Sequence, residues 1–378
     1  MRNKNNIVFV KNKLITVDTI LPILIELKTN YNSSSDIVVF DELAHKAINE
    51  NIVIKDAIDY VGKEIFITKG IKNKIHRRIY LIKGMFLIVL RLIFAENIFH
   101  FGALDRYPLK ALGILFRKNV YRFPGNAYNF KYSKYSKHYG NKPKSYRNTG
   151  NNCILFDNTS DFCKDSRFVF NITPPRKRKA WVEYIRGRSS LYLNRLHSGI
   201  NFENGCFVIA TGVPNSDSPS RKLEDPINDS KRLFIETINV LELYSNTIPI
   251  LIKPHPLSDI NLIRSLIANK NNMFITYLHP TLLAMHARAF IANQFSNILA
   301  DAHTFGIYTI EYTNYNHNLL NVTRGESIEK QFVTHFINND IDKFKCVISD
   351  IASCAYKESL YTGIDIIESD FFHKVANR

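Results

Sequence analysis

Short apolar runs alternate with longer helix-like stretches along most of this 378-residue chain, and this alternation limits the fold more than any other feature. In the first half, strands are predicted at residues 6–10, 36–40, 64–68, 97–101 and 119–123, with helices at 17–31 and 104–116. In the second half, strands are predicted at residues 206–212, 248–253, 273–277, 290–294 and 307–312, with a helix between successive strands. Such alternation favours parallel sheets that are covered by helices on both faces. We therefore predict an α/β protein.

The length of the chain favours more than one domain, because 378 residues are too many for a single compact core. We predict an N-terminal domain at residues 1–195, a second domain at 196–345, and C-terminal helices at 346–378 that pack back on the first domain. Residues 329–356 are predicted to be helical. Residues 174–197 are interpreted as the crossover between the halves. Residues 130–152 contain almost no aliphatic side chains, which is typical of a loop.

The chain is strongly basic, with 50 Lys and Arg against 34 Asp and Glu and a formal net charge of +16. This charge favours an anionic partner: a nucleic acid, an anionic membrane surface or a phosphorylated substrate. In residues 130–152, basic side chains are interleaved with tyrosines, as on single-stranded nucleic-acid surfaces, but no RNA- or DNA-binding motif accompanies them. A loop that faces solvent or a membrane and a nucleic-acid surface both stay open.

The N-terminal segment and the cysteines favour a cytoplasmic protein. The first thirteen residues lack the apolar core of a signal peptide. The five cysteines are odd in number and have no metal-ligand or redox spacing, so we expect reduced thiols.

Residues 79–99 form the most apolar region of the chain. Lys83 and Arg91 interrupt it, and its longest uncharged run is too short to span a bilayer. As a helix, this region is either mostly buried or lies against a membrane with Arg77, Arg78, Lys83 and Arg91 towards the phospholipid headgroups.

Ligands of open parallel sheets bind beyond the carboxyl ends of the strands, so the residues that follow the second-half strands are candidates for a site. Lys253 and His255 follow one strand, and Pro254 and Pro256 restrict the backbone on both sides of the histidine. An imidazole held in this way can donate to a phosphate or protonate a leaving group. The alternative is a turn whose histidine merely caps the next helix.

Two later strand ends also carry polar residues. Ser296 and Asn297 stand where a helix begins, and Glu311 lies near the end of the following strand. Free backbone N–H groups and the helix dipole make an anion site at such a helix start. Simple helix capping uses the same atoms and stays an alternative.

The loop after the strand at residues 206–212 contains small and acidic residues. Gly212, beside Thr211, permits close approach of the backbone to a ligand. Asp217 can act as a general base, as a nucleophile or as an ordinary turn residue. Three other carboxylates lie close by and are rivals for that role: Glu224, Asp225 and Asp229.

Metal and dinucleotide chemistry have no support in the motifs. His279, His286 and His303 are not accompanied by the carboxylates or cysteines that would complete a metal site, so we expect structural or surface roles for them. Neither half contains a GxGxxG or P-loop sequence, and no GxSxG elbow is present.

The second-half motifs resemble one group of enzymes. Two Rossmann-like halves with phosphate-binding features in the second resemble the GT-B architecture of nucleotide-sugar glycosyltransferases, in which two such domains face a central cleft. The Lys-Pro-His-Pro sequence at residues 253–256 is similar to the His-Pro motif of bacterial enzymes that use CMP-activated sugars. These are the lipooligosaccharide sialyltransferases, the polysialyltransferases and the capsule-type Kdo transferases.

The resemblance covers about residues 205–315 and has departures. The loop at residues 211–220 is similar to the Gly-Gln-x-x-x-Asp-x-Ser loop of the capsule-type Kdo transferases, but Val213 stands where Gln is usual. Residues 296–312 resemble their Ser-rich helix start and the strand after it. There, Asn297 replaces a second Ser or Thr and Asp301 replaces a glutamate.

The resemblance implies a metal-independent glycosyltransferase without a cofactor. It would move a Kdo- or sialic-acid-like sugar from a CMP donor to a bacterial surface glycan or glycolipid, at an anionic inner-membrane surface with which it associates peripherally. Asp217 and His255 would be catalytic. The donor nucleotide would contact Thr211, Gly212, Lys253, Pro254, Ser296, Asn297 and Glu311.

Two alternatives to this function stay open. The Lys-Pro-His-Pro motif also occurs in glycerol-phosphate polymerases of wall teichoic acid synthesis, so a transferase for CDP-glycerol or another nucleotide sugar is one of them. A basic nucleic-acid-binding protein is the other, although the resemblance implies no nucleic-acid partner.

Overall fold

The chain is represented by a computed structural model that describes residues 5–10, 14–66, 74–105, 109–116, 119–124, 152–156, 168–211, 230–255, 258–365 and 369–376. The described residues divide into two compact units. The first unit contains the described residues up to 185 and those from 362 onward, and the second contains residues 186–361.

The first unit is built on a seven-stranded parallel sheet in the order β3-β2-β1-β4-β5-β6-β7. Its strands are β1 Asn5–Phe9, β2 Ser34–Val39, β3 Gly62–Phe66, β4 Asn97–His100, β5 Val120–Arg122, β6 Asn152–Phe156 and β7 Val169–Ile172. Its helices are α1 Leu14–Tyr31, α2 Glu42–Glu50, α3 Ile52–Val61, α4 Lys74–Phe94, α5 Leu109–Leu115 and α6 Lys179–Arg186.

The second unit is built on a six-stranded parallel sheet in the order β10-β9-β8-β11-β12-β13. Its strands are β8 Cys206–Thr211, β9 Ile250–Pro254, β10 Met273–Ile275, β11 Ala287–Ala292, β12 Tyr308–Thr313 and β13 His335–Asn338. Its helices are α7 Ser189–Leu196, α8 Ser230–Glu242, α9 Ile260–Ile267, α10 Pro280–His286, α11 Asn297–Thr304, α12 His317–Thr323 and α13 Ile341–Ser353.

The central strands are apolar because helices cover them on both faces. In β1, Ile7, Val8 and Phe9 are fully buried, and all six residues of β8 are buried. Near-continuous apolar runs of this kind are typical of parallel strands. The same runs made these strands visible in the sequence.

The last helix, α14 Ser369–Ala376, belongs to the first unit, whereas α13 belongs to the second. Phe371 of α14 meets the rings of Tyr121, Phe123 and Phe170 at centroid distances of 5.8, 6.3 and 5.8 Å. Asn97 donates to the carbonyl of Val375 at 3.0 Å. The final helix is thus part of the aromatic core beside β5 and β7.

The predicted α/β class with two Rossmann-like parallel sheets is confirmed by the strand orders. Four elements of the described residues were not predicted: α2, α3, α12 and β7. The segment of β13 was predicted to be helical, which is wrong. The helix predicted at residues 281–289 ends at His286, because Ala287 already begins β11.

The apolar region at residues 79–99 contains most of α4, and the α4 side chains that the structure describes are partly buried and partly exposed. Ile88 and Leu92 are 1% exposed, whereas Ile82 and Phe86 are 70% and 63% exposed. Arg91 forms an ion pair with the Asp36 carboxylate, so the expectation that it faces headgroups is wrong. Among the helices that the structure describes, none is both long and apolar enough to cross a membrane.

The cysteines also differ from expectation. Cys206, Cys346 and Cys354 are free thiols, but Cys153 is disulfide-bonded to a partner outside the described residues. The expectation of five reduced thiols is therefore wrong. Spacing in the sequence did not indicate this pair, because it does not show which cysteines the fold brings together.

Candidate functional site

The second sheet has a topological switch point between β8 and β11. From β8 the chain moves outward through β9 to β10, and it then returns to the other side of β8 to form β11. The register aligns Thr211 with Pro254 on one side, and Ala210 with Ala292 on the other. The carboxyl ends of β9, β8 and β11 therefore share one edge, where open α/β sheets bind ligands.

His255 is attached to this edge through its backbone. Its N–H group donates to the carbonyl of Thr211 at 2.9 Å and to the hydroxyl of Ser258 at 3.0 Å. Ser258 in turn donates from its hydroxyl to the same Thr211 carbonyl at 3.1 Å. His255 is exposed, whereas Thr211 is buried. The histidine is thus presented outward from a backbone that is fixed to the end of β8.

Lys253 has a partner that the sequence did not indicate. Its ammonium donates to the carbonyl of Leu278 at 2.7 Å, which ties the end of β9 to the loop after β10. Lys253 and the adjacent Pro254 are both half-buried. This bond holds the ammonium group of Lys253 at the same edge of the sheet.

Ser296 stands at the start of α11, beyond the end of β11. Its carbonyl accepts from the N–H of Leu299 at 2.9 Å, but its side chain makes no capping hydrogen bond. Ser296 and Asn297 are half-buried. The simple capping role that the sequence left open for the Ser296 hydroxyl is therefore absent.

Glu311 is fully buried in β12, and its register places it beside Ala292 of β11. Its carboxylate accepts hydrogen bonds from the hydroxyls of Tyr315 and Ser327, each at 2.5 Å, and from the backbone N–H of Phe295. Burial raises the pKa of Glu311 to about 7, although these three hydrogen bonds act in the opposite direction. Glu311 therefore holds Phe295, the residue before Ser296, in place.

Asn293 holds the same loop from the other end. It is 3% exposed, and its amide donates to the Thr237 hydroxyl at 2.9 Å and to the Tyr312 carbonyl at 3.2 Å. The end of β11 is thus bound to α8 and β12. Asn293 and Glu311 together leave little freedom to the turn at residues 293–296.

The structure brings most of the predicted site residues to one edge of the second sheet. They are Thr211, Lys253, Pro254, His255, Ser296, Asn297 and Glu311. Five predicted residues lie outside the described residues: Gly212, Asp217, Glu224, Asp225 and Asp229.

Sequence reasoning missed the residues that hold this edge in place. These are Ser258, Asn293, Tyr315 and Ser327. They act on backbone groups or on Glu311, and no motif distinguishes such residues from ordinary loop polar residues. A weak signal existed for Ser258, because it precedes Asp259, which caps α9.

The three histidines considered for a metal site lie apart from this edge or serve other contacts. His279 caps α10 by accepting from the N–H of Thr281 at 3.1 Å. His286 meets the Ser189 hydroxyl at 2.7 Å, and His303 meets the Phe332 ring edge-on. Among the described residues, no group of three or more His, Cys, Asp or Glu has the arrangement of a metal site.

No protein-family model and no curated protein matches this sequence. Solved structures are similar to it over nearly their whole length. Arabidopsis thaliana UGT89C1 in complex with UDP is 10% identical, with a TM-score of 0.48, covering 95% of this chain and 93% of that one. A glycosyltransferase from Rickettsia africae is 12% identical, with a TM-score of 0.45 and coverages of 100% and 94%.

A further structure of similar fold is that of a protein named for a different reaction. A putative UDP-N-acetylglucosamine 2-epimerase from Listeria monocytogenes is 8% identical, with a TM-score of 0.46 and coverages of 96% and 94%. At such identities the similarity concerns the fold alone, and one fold can carry more than one reaction.

Proposed function

We propose that this protein is a glycosyltransferase that moves a Kdo- or sialic-acid-like sugar from its CMP ester to a bacterial surface glycan or glycolipid. The observation that carries the proposal is the position of His255. It is exposed at the switch-point edge of the second sheet, where its N–H is bound to the carbonyl of Thr211. A histidine in the Lys-Pro-His-Pro motif therefore stands where a nucleotide phosphate would bind.

The phosphate would lie between His255 and the start of α11. The Ser296 hydroxyl makes no capping bond, so it suits a phosphate oxygen, and the N–H groups of the first helical turn add the positive end of the helix dipole. Glu311 and Asn293 support this contact because they fix the turn before Ser296. In this role Glu311 positions the site without touching the donor.

In the reaction, the bond between the anomeric carbon and the CMP phosphate oxygen breaks, and CMP leaves with the electron pair. The acceptor hydroxyl oxygen ends up bonded to the anomeric carbon and loses its proton. His255 and Ser296 would stabilise the charge that develops on the leaving phosphate. Asp217 would accept the proton in an inverting reaction or attack the carbon in a retaining one.

The supporting cations come from the protein, so the proposed reaction needs no metal. Lys253 is anchored to the Leu278 carbonyl at the same edge and would add positive charge near the nucleotide. The net charge of +16 suits an anionic donor and a peripheral position at the inner membrane, where a lipid-linked acceptor resides.

The donor can be identified by the shift in melting temperature with CMP, CDP and UDP. We expect CMP to stabilise the protein most, and His255→Ala to weaken CMP binding at least about tenfold. His317→Ala is the matched control, because His317 is also exposed in the second unit but lies in α12. Stabilisation by UDP alone would contradict a CMP donor, and stabilisation by CDP alone would favour a CDP-glycerol transferase.

Activity with CMP-Kdo and CMP-sialic acid tests the catalytic roles. Asp217→Asn and His255→Ala should each lower kcat at least about a hundredfold while the melting temperature stays near that of the wild type. Full activity in either variant would remove that residue from the mechanism. Binding of an oligonucleotide in place of CMP, lost with added salt, would favour a nucleic-acid-binding protein.

A further inference from the structure

The outer side of α4 is apolar although it faces solvent. Seven large apolar side chains on this helix are at least one-third exposed: Ile82, Phe86, Leu87, Val89, Leu90, Ile93 and Phe94. Phe94 is the most exposed of them, at 78%. Large apolar side chains on a helix normally pack against other elements, but of the α4 side chains that the structure describes, those of Ile88 and Leu92 are buried and most others are exposed.

Helix α5 extends the same surface. Leu109 and Phe116 pack against the core cluster that contains Ile88 and Leu92, so α4 and α5 cover the same face of the first sheet. On its outer side, α5 exposes Leu115 and Ile114, by 75% and 47%. The exposed apolar side chains of α4 and α5 form what we call the α4–α5 surface. Large exposed apolar areas mark interaction sites.

The positive charge of the chain is concentrated in the segments that contain these two helices. Residues 65–95 hold seven Lys and Arg and no Asp or Glu, and residues 106–156 hold eleven and again no acid. These two segments carry more positive charge than the +16 of the whole chain, so the remainder is slightly acidic. Lys83 is exposed beside Ile82 on α4 itself.

The combination of apolar side chains and cations restricts what can cover the α4–α5 surface. A second copy of this chain would bring two basic segments together, and like charges repel. An anionic lipid bilayer accepts both features at once, because apolar side chains enter the boundary of the acyl chains while cations stay among the headgroups.

The geometry points to the α4–α5 surface as the docking face for an anionic lipid bilayer. The inference deepens the proposed function, and it rests on that function for the claim that a lipid-linked acceptor is reached there. Exposed side chains such as Phe86 and Ile93 would insert below the headgroups, with α4 lying along the bilayer. Lys83 would contact phosphate groups of the lipids.

Vesicle flotation tests the docking face on the full chain. The wild type should bind vesicles of phosphatidylcholine mixed with phosphatidylglycerol, and bind vesicles of phosphatidylcholine alone several-fold less. The triple variant Ile82→Ser, Phe86→Ser, Ile93→Ser should lose at least about tenfold in partitioning, since each side chain contributes apolar area that enters the bilayer. Lys83→Glu should weaken binding several-fold on the anionic vesicles only.

A matched control removes the same number of exposed apolar side chains elsewhere. Leu43→Ser, Leu243→Ser and Leu360→Ser, combined, replace residues that are 76%, 74% and 85% exposed, and this variant should bind vesicles as the wild type does. All six positions are exposed, so both triple variants should keep their circular dichroism spectra and melting temperatures. If the control loses binding to the same extent, the docking face is wrong.

Two other outcomes would also overturn the inference. One is equal binding of the wild type and the α4 triple variant to anionic vesicles. The other is a concentration-dependent dimer in ultracentrifugation that the α4 triple variant abolishes, without vesicle binding by the wild type.

The effect of CMP on melting temperature is measured in the same samples. Stabilisation by CMP without vesicle binding would defeat this inference alone, and vesicle binding without stabilisation by CMP would defeat only the proposed function.

Discussion

Glu311, a buried carboxylate in the second sheet, should make the stability of the folded protein depend on pH. Burial raises the pKa of Glu311 from an ordinary value of 4.5 to about 7. The folded state therefore binds its proton more tightly than the unfolded chain does. The resulting stabilisation is fully present below pH 4.5 and is lost as the pH rises through 7.

Replacing Glu311 by Gln should remove this pH dependence. The free energy of unfolding of the wild type should fall relative to Glu311→Gln by about 1–3 kcal/mol between pH 5 and pH 8. Urea denaturation at several pH values measures the difference. Glu326→Gln is the control, because Glu326 is half exposed and pairs with Lys330 on the surface. A difference that does not change with pH would show that Glu311 titrates normally.

Ser258 holds the backbone of His255 in place, although it belongs to none of the motifs of the proposed site. Its hydroxyl bridges the His255 N–H and the Thr211 carbonyl. Ser258→Ala removes both bonds, each of which contributes about 1 kcal/mol, so we expect CMP affinity to fall about threefold to tenfold. Titration calorimetry measures the affinity.

Ser265→Ala is the control for Ser258→Ala. The Ser265 hydroxyl also donates to a backbone carbonyl, that of Leu262, but within α9 and away from the edge. Its replacement should leave the CMP affinity unchanged. Equal losses in the two variants would mean that the effect of Ser258 is a general loss of stability.

Some side chains of the candidate site could be predicted from the sequence, and others could not. His255 and Ser296 were predicted because strand ends carry ligand contacts in parallel sheets. Ser258 and Asn293 were not, because a side chain that binds backbone groups leaves no pattern in the sequence. Glu311 was predicted as a nucleotide contact; it is fully buried and bonded to the backbone of Phe295, so we propose that it supports the site through that residue.

At the scale of elements, a short basic segment is fastened to α1 by two buried ion pairs. Arg176 pairs with Asp18 at 3.1 Å, and Arg178 pairs with Glu26. Both arginines are less than 5% exposed. Arg178 also lies over the Phe372 ring of α14, at 4.6 Å. The run of cations at residues 176–179 thus joins α1 and α14 instead of forming an anion-binding face.

Arg178→Met should destabilise the protein strongly, because it leaves the largely buried Glu26 carboxylate without its charge partner. We expect a loss of about 2–4 kcal/mol in the free energy of unfolding. The double variant Arg178→Met, Glu26→Gln should recover part of it, since the buried charge is gone. Denaturant titration of both variants measures this.

Lys179→Met provides the control for the Arg178 variants. Lys179 is also basic and paired, with Asp365 at 3.1 Å, but this pair is exposed. The expected change in stability is small. A loss as large as that of Arg178→Met would show that the segment is sensitive to any substitution.

Strands that are buried on both faces could be predicted from the sequence. The strands β1, β8 and β9 are buried runs of apolar residues and appeared at the expected places. Strand β7 was not predicted; it lies at the sheet edge and most of it is exposed or half-buried, although the opposite edge strand, β3, was predicted despite similar exposure. Strand β13 is also an edge strand, and its short mixed sequence resembles the helices that flank it.

At the scale of the whole molecule, the described residues after 361 return to the first unit. The second unit is formed by residues 186–361, and the residues that follow supply α14 to the first. Phe371 and Val375 of α14 contact residues of the first unit, so α14 contributes to the core of that unit.

Phe371→Ala tests this division. Phe371 is 1% exposed among aromatic rings, so the truncation should cost the first unit about 3–5 kcal/mol through the cavity it leaves. Hydrogen exchange followed by mass spectrometry should show faster exchange in β5, β6 and β7, with β8 to β12 unchanged. If the second unit binds CMP as proposed, the stabilisation by CMP should be retained. Leu360→Ala, at an exposed position, should change neither unit. Faster exchange in both sheets of the Phe371 variant would mean that the two units unfold as one.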